Sequence, residues 1–352
     1  MLPERSDVVV IGGGVMGAAT LHYLTELGCE RPVLVERDTL ASGSTGHCAG
    51  GVRTLFSDEL NVAICEESIR RLEALGDEID LKLYGYLFLL ADDSDAARFA
   101  ATPGAQMLSP DEARAIVPQL DTEGIVAAAF NERAGYVTPD LVVQAYVRRA
   151  AARGAHVEQS CAATRIVSDK GRVTGVETAK GTIATDTVVL AAGVWSRELH
   201  DLPVERERRF MFFTEDAPEF PRELPLTIDF QSGFYFHRES GGLAFGGREQ
   251  TLEELAPAAT RRLPALESLG VRSSWWGWYE MSPDHNALVG RAVDPGGLVY
   301  ATGFSGHGFQ QGPVVGEHLA QLALGVAPAF DLSQFAVERF ARGAARVEQN
   351  VV

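Results

Sequence analysis

The stretch Asp7-Val-Val-Val-Ile-Gly12-Gly-Gly14-Val-Met-Gly17 constrains this chain more than any other. Val8–Ile11 is a β-branched run fit for a buried parallel strand, and it enters a glycine turn directly. From Ala18 to Leu27 apolar residues recur at helical spacing, and Gly28 closes the helix as a C-cap. Pro32-Val-Leu-Val-Glu36 then reads as a second strand, completing a strand, turn, helix, strand unit of about thirty residues. Gly12-x-Gly14-x-x-Gly17 matches the dinucleotide fingerprint in this setting. The first glycine permits the tight turn, the second lets a pyrophosphate approach the backbone, and the third lets helix and strand pack closely. Val15 and Met16 lie inside the turn, where the helix presents free N–H groups and its positive dipole end to an anion. Glu36 ends the second strand, placed to accept from ribose hydroxyls and to disfavour a 2′-phosphate, and Arg37 follows at the same edge.

Composition narrows the partners. The chain has 352 residues, with 48 Asp and Glu against 31 Lys and Arg, for a formal charge of −17. A polyanion is repelled by most of such a surface, so nucleic acid and anionic membranes are excluded. Backbone dipoles around Gly12–Gly17 hold an anion without a basic surface. Charges interrupt every apolar stretch before the ~18 residues a membrane helix needs. The start, Met1-Leu-Pro-Glu-Arg-Ser-Asp7, has no signal-peptide apolar region. Cys29, Cys48, Cys65 and Cys161 are scattered without zinc spacing and read as free thiols, which points to the cytoplasm.

At ~150 residues per domain the length implies two domains. Glycines and hydroxyls fill Ala41-Ser-Gly-Ser44-Thr45-Gly-His47-Cys-Ala-Gly-Gly-Val-Arg53, a loop able to add donors to the pyrophosphate, and a helix over Glu59–Leu75 follows. A second α/β signal runs from a helix over Leu141–Arg153 through strands at Ala155–Gln159, Ala163–Ser168 and Val173–Thr178. It ends in Thr187-Val-Val-Leu-Ala-Ala192-Gly193-Val-Trp195, whose small residues let the backbone approach the nucleotide again. Residues 81–135 and 206–280 alternate as strands and are rich in aromatics. They read as an antiparallel-sheet substrate domain inserted twice into a Rossmann-type domain made of 1–80, 136–205 and 281–352. The last twenty residues read as a helix with a mobile tip.

Three stretches carry a family resemblance: Val8–Glu36, Ser42–Arg53 and Ala301-Thr-Gly303-Phe-Ser-Gly306-His307-Gly308-Phe309-Gln310-Gln-Gly-Pro-Val-Val-Gly316. The chain resembles the D-amino acid oxidase superfamily of FAD enzymes, within it the sarcosine oxidase and dimethylglycine dehydrogenase branch. The resemblance implies an FAD enzyme that oxidises a C–N bond of a small secondary or N-methylated amino acid, sarcosine-like, by hydride transfer to flavin N5. A helix starting after His307 and aimed at the flavin stabilises negative charge there on reduction. The resemblance gives Arg53 the grip on the substrate carboxylate, which suits a guanidinium fork. Related oxidases place a lysine where Gln310 stands, so an amide hydrogen-bonds where a cation pairs in them. Their cysteine link to FAD falls at Gly277 and cannot form. His47 resembles the linking histidine of the other branch, leaving a covalent link and noncovalent packing open. Ala244 stands where those oxidases carry an oxygen-activating lysine, so the acceptor is either O₂ or an electron carrier.

Tyr235, His237 and Arg248 from the inserted sheet, with His307, are the expected pocket lining. Trp275, Trp276, Trp278 and Tyr279 read as a seam between domains or as a cage for an alkylated amine. The alternatives to a sarcosine-like substrate are a glycine, proline or D-amino acid dehydrogenase, or a non-catalytic flavoprotein resembling an assembly factor of respiratory complex I. Homo- or hetero-oligomers fit the same scaffold.

Overall fold

The computed structural model describes residues 2–351. Val8–Ile11 is fully buried at the middle of a six-stranded sheet. The order across it is Leu288–Arg291, Leu298–Thr302, Val188–Leu190, Val8–Ile11, Pro32–Val35 and His156–Glu158. All neighbours run parallel except the edge pair of Leu288–Arg291 with Leu298–Thr302. Side chains alternate across the sheet. Val8 and Val10 enter a core with the helices Val15–Glu26, Pro139–Ala152 and Gly308–Leu324. Val9 and Ile11 enter a second core with Val173, Val176 and Ile183 of a three-stranded antiparallel sheet, Ala163–Asp169, Arg172–Thr178 and Gly181–Ala184.

Helices Val15–Glu26 and Gly308–Leu324 cross at close range. A Cβ on Gly312 would lie 2.6 Å from Val15 Cγ2, and one on Gly316 would lie 2.5 Å from Ala19 Cβ. Only glycine allows this approach, and it sets the starts of both helices side by side.

The second sheet has eight strands, ordered Val271–Met281, Glu205–Thr214, Gly242–Gly246, Tyr235–Glu239, Leu226–Asp229, Tyr86–Leu90, Ala127–Asn131 and Gln106–Leu108. It is mixed rather than purely antiparallel, because Leu226–Asp229 pairs in parallel with Tyr86–Leu90. A parallel neighbour needs a long crossover, and here the chain passes through two strands of the six-stranded sheet, His156–Glu158 and Val188–Leu190, and the whole three-stranded sheet between the two strands. Leu87, Leu89, Phe234, Phe236 and Phe245 face the outer helices Pro110–Ile116 and Leu252–Arg262, while Tyr86, Phe88, Ile228 and Tyr235 face the other way.

The expected C-terminal helix does not form. Two short turns, Ser333–Phe335 and Val337–Arg339, are followed by irregular chain. Buried polar anchors override local helical pattern here. Arg339 grips Asp284 with two bonds of 2.8 and 2.7 Å, and Gly343 takes a left-handed φ of 65°. Glu348 and Asn350 are buried. Among the described residues no helix is long and apolar enough to cross a membrane, and all four cysteines are free.

Replacing Gly316 by Val should cost about 1–3 kcal/mol through overpacking. A lowered melting temperature of the apoprotein is the expected readout, and an unchanged one would show that the crossing tolerates a larger residue.

Candidate cofactor and substrate site

The glycine turn opens a cavity of about 560 Å³ at the strand ends of the six-stranded sheet. Most of the residues expected at a nucleotide line it: Gly12, Gly14, Val15, Met16, Glu36, Arg37, Ser44, Thr45, His47, Ala163, Ala192, Gly193, Trp195, Gly306, Gly308 and Phe309. Gly17 lies behind the wall, where a Cβ would sit 1.9 Å from the Gly12 carbonyl oxygen, so its role is close packing. Gly303 also lies outside the lining and serves the turn after Leu298–Thr302, at φ 69°.

The donors are arranged for an anion. The Val15 N–H donates to Thr45 Oγ1 at 3.1 Å and the Ala18 N–H to the Gly14 carbonyl at 2.9 Å. Met16, which lies between them and lines the cavity, is a first-turn donor left at the helix end. The Glu36 carboxylate accepts from Gly13 N–H at 2.6 Å and Asp38 N–H at 2.8 Å, which fixes its orientation and leaves lone pairs for a diol. Arg37 stacks on Trp195, 4.3 Å from the ring centroid. His47 Nδ1 bonds the Gly43 carbonyl at 2.8 Å, and its Cβ occupies the space a side chain at Gly277 would need, 2.7 Å away.

A smaller cavity of about 80 Å³ adjoins the first, sharing Cys48, Tyr279, Gly306 and Phe309 with it. Arg53, Tyr235, His307 and Gln310 all line it, together with Tyr86 and Ile228. Arg53 is buried, with 4% exposure, rather than paired at the surface with Asp58 or Glu59. Its guanidinium donates to the carbonyls of Leu55 at 2.6 Å and Asn350 at 2.7 Å and stacks 4.0 Å from the Phe56 centroid. No carboxylate lies within salt-bridge distance of it among the described residues. The Gln310 amide oxygen accepts from the Arg53 backbone N–H at 2.8 Å, which leaves its NH₂ as a donor. His307 packs edge-on against Phe56, and burial pushes its pKa down to about 3, aided by the Arg53 charge. Burial likewise holds the Tyr86, Tyr235 and Tyr279 hydroxyls protonated above their ordinary range.

Other expected members lie elsewhere. Arg248 is exposed beside Gly233 and lines neither cavity, because the strand ends at Gly246 and the loop turns outward. His237 is buried against Tyr136, 4.6 Å between centroids, outside both linings. The tryptophan cluster is divided by its strand: Trp278 and Tyr279 line the large cavity, Trp275 packs edge-on to His47 with centroids 6.3 Å apart, and Trp275 and Trp276 are 39% and 41% exposed, so the four do not form one cage.

Sequence reasoning missed two acids. Glu280 lines the large cavity. An acid directly after the aromatic run Trp275-Trp-Gly-Trp-Tyr279 was the available signal. Glu348 accepts from Ser57 N–H at 2.8 Å, Ser57 Oγ at 2.7 Å, Asp58 N–H at 3.1 Å and Asn61 Nδ2 at 3.0 Å, and so pins the C-terminal segment beside Arg53. Nothing local marks that contact.

Residues 7–322 match the family described as FAD dependent oxidoreductase, and the chain belongs to that family. It is 31% identical to FAD-dependent oxidoreductase domain-containing protein 1 of Xenopus laevis, over 99% of this chain and 85% of the relative. It is 30% identical to sarcosine oxidase subunit beta of Rhizobium meliloti (strain 1021), over 96% of this chain and 89% of that one. The solved L-proline dehydrogenase from P. horikoshii superposes with a TM-score of 0.91 at 30% identity, covering 98% of this chain and 100% of its own. The family's cofactor is FAD. The residues present fit it: a glycine cradle, an open helix-end donor at Met16, an oriented acid at the second strand and a second helix start at Gly308.

Glu348→Ala should release the C-terminal segment. Limited proteolysis is expected to trim the variant near residues 343–350 while the rest stays intact, and equal resistance to the wild type would deny the anchor.

Proposed function

We propose that the protein oxidises the C–N bond of a small secondary amino acid, N-methylated as sarcosine is or cyclic as proline is. One observation carries the reading: a small cavity beside the dinucleotide cavity holds a buried arginine with no carboxylate partner among the described residues. An unpaired buried charge is costly, and a substrate carboxylate completes it. A volume of about 80 Å³ holds roughly five to eight waters, about the heavy-atom count of sarcosine or proline. The relatives named for sarcosine and the structure named for L-proline support this class.

The chemistry FAD supplies when bound is acceptance of a hydride from the carbon next to the amine nitrogen. Arg53 and the Gln310 amide hold and orient the carboxylate. Tyr86, Tyr235 and Tyr279 wall the amine end and exclude water, which fixes the reacting carbon against the large cavity. His307 stays neutral, so no imidazolium competes with Arg53 for the substrate. Arg37, Arg53 and Arg209 are the cavity cations, and no lysine lines either cavity among the described residues. Ala244 is buried with Met211 and Phe213. This lining supports an electron carrier rather than O₂ as acceptor.

Anaerobic mixing with sarcosine, L-proline, glycine and D-alanine should bleach the flavin band with one of the first two. The bleached protein should recolour slowly in air and promptly with an artificial dye acceptor. With His307 neutral above about pH 3 and the three tyrosines protonated, the pH profile of bleaching should follow the substrate amine and persist in His307→Asn. No bleaching by any of the four at millimolar concentration would sink the amino acid reading. Arg53→Met should lose about 2–5 kcal/mol of substrate capture, roughly 30- to 5000-fold in kcat/KM, while retaining FAD. An unchanged KM would remove its assigned role.

A further inference from the structure

Glu280 faces the large cavity from the strand Val271–Met281, and among the described residues no ion pair compensates it. Its Oε2 lies 2.8 Å from Thr302 Oγ1, and that same hydroxyl lies 3.0 Å from the Gly193 carbonyl oxygen. A hydroxyl carries one proton. With Glu280 ionised, the Thr302 proton serves one contact and leaves two acceptors facing each other in the second. With Glu280 protonated, the carboxyl O–H donates to Thr302, Thr302 donates to Gly193, and both contacts are hydrogen bonds.

The charges around Glu280 are engaged elsewhere: in the same cavity Glu36 accepts from the backbone N–H groups of Gly13 and Asp38, Arg37 is ion-paired with Asp38, and Glu198 is ion-paired with Arg206. Gly193 follows the strand Val188–Leu190, Thr302 ends the strand Leu298–Thr302, and Gly303 and Phe304 come after it. Opposite in register is Arg206, which is ion-paired with Glu198. Arg209, further along that strand, is ion-paired with Glu207. Tyr279 stands next to Glu280 on its own strand, protonated. His47 lines the same cavity on the opposite loop.

We propose that Glu280 is a neutral carboxylic acid in the FAD-loaded protein, and that loading the cofactor takes up a proton at this side chain. The pyrophosphate brings negative charge into the cavity that Glu280 faces, which favours the neutral form. In the apoprotein, burial already pushes the carboxyl up to about 7, against the pull of Thr302 and the backbone N–H groups of Gly303 and Phe304. The sign follows. Below about pH 5.5 the acid is neutral with or without FAD, and no proton is exchanged. Above pH 7 the apoprotein carries the charge, the loaded protein does not, and affinity falls as pH rises.

The test is FAD binding to the full-length apoprotein at pH 5.5 and 8.5. Affinity is read by flavin fluorescence, and proton uptake by calorimetry in two buffers of different ionisation enthalpy. The wild type should take up close to one proton per FAD at pH 8.5 and none at pH 5.5, with Kd weaker at the higher pH by roughly 10- to 30-fold. Glu280→Gln keeps a carbonyl acceptor for Gly303 and Phe304 and an N–H donor for Thr302. It should bind FAD equally at both pH values with no uptake. Absence of uptake in the wild type overturns the proposal, and that measurement stands even if the variant does not fold. Uptake that survives in Glu280→Gln assigns the proton to another group and overturns it too. Failure to bind FAD at either pH removes the cofactor assignment on which the proposal rests, and the proposal with it.

Discussion

The crossing of Val15–Glu26 over Gly308–Leu324 through Gly312 and Gly316 is the contact on which the site depends. A helix start holds an anion only within its first turn, so two starts act on one ligand only if their axes nearly touch. Residues some three hundred positions apart in the chain are brought to one cavity by two missing side chains. The first start meets the dinucleotide cavity alone. The second, at Gly308 and Phe309, borders both cavities and so couples the dinucleotide cavity to the smaller one.

Electrostatics follow the same division. The exterior is strongly acidic, yet the two cavities are bordered by arginines held by carbonyls, aromatic faces or ion pairs. Arg53 is stabilised by two backbone carbonyls and the faces of Phe56 and Phe88, 4.0 and 5.4 Å from their centroids. Dipoles and quadrupoles hold a charge without neutralising it, which leaves the cation available to an anionic ligand. Glu280 is the counterexample, a half-buried acid with no ion-pair partner among the described residues.

Legibility in the sequence tracked distance along the chain. The turn Gly12–Gly17, the helix after it and Glu36 were readable because one short segment contains all their determinants. Arg53, His307 and Gln310 could be grouped around one cavity because each belongs to a motif-bearing loop. What holds Arg53 could not be read, since Asn350 lies 297 residues away. The C-terminal segment misled for the same reason: its pattern suits a helix, but Asp284 and Asn61 claim Arg339 and Glu348. Arg248 was misplaced because a strand's end cannot be located to the residue from alternation alone. The parallel pair within the second sheet was hidden because alternation is identical in parallel and antiparallel strands.

The small cavity has a kinetic consequence. Its defining hydrogen bonds join residues 257 and 297 positions apart, Arg53 with Gln310 and with Asn350. Contacts of that separation form only after the two sheets and their helices have closed the intervening loops, because loop entropy must be met before such contacts give any return. They belong to the late side of the folding barrier. Changes around Arg53 therefore act mainly on how fast the native protein unfolds, and little on how fast it folds.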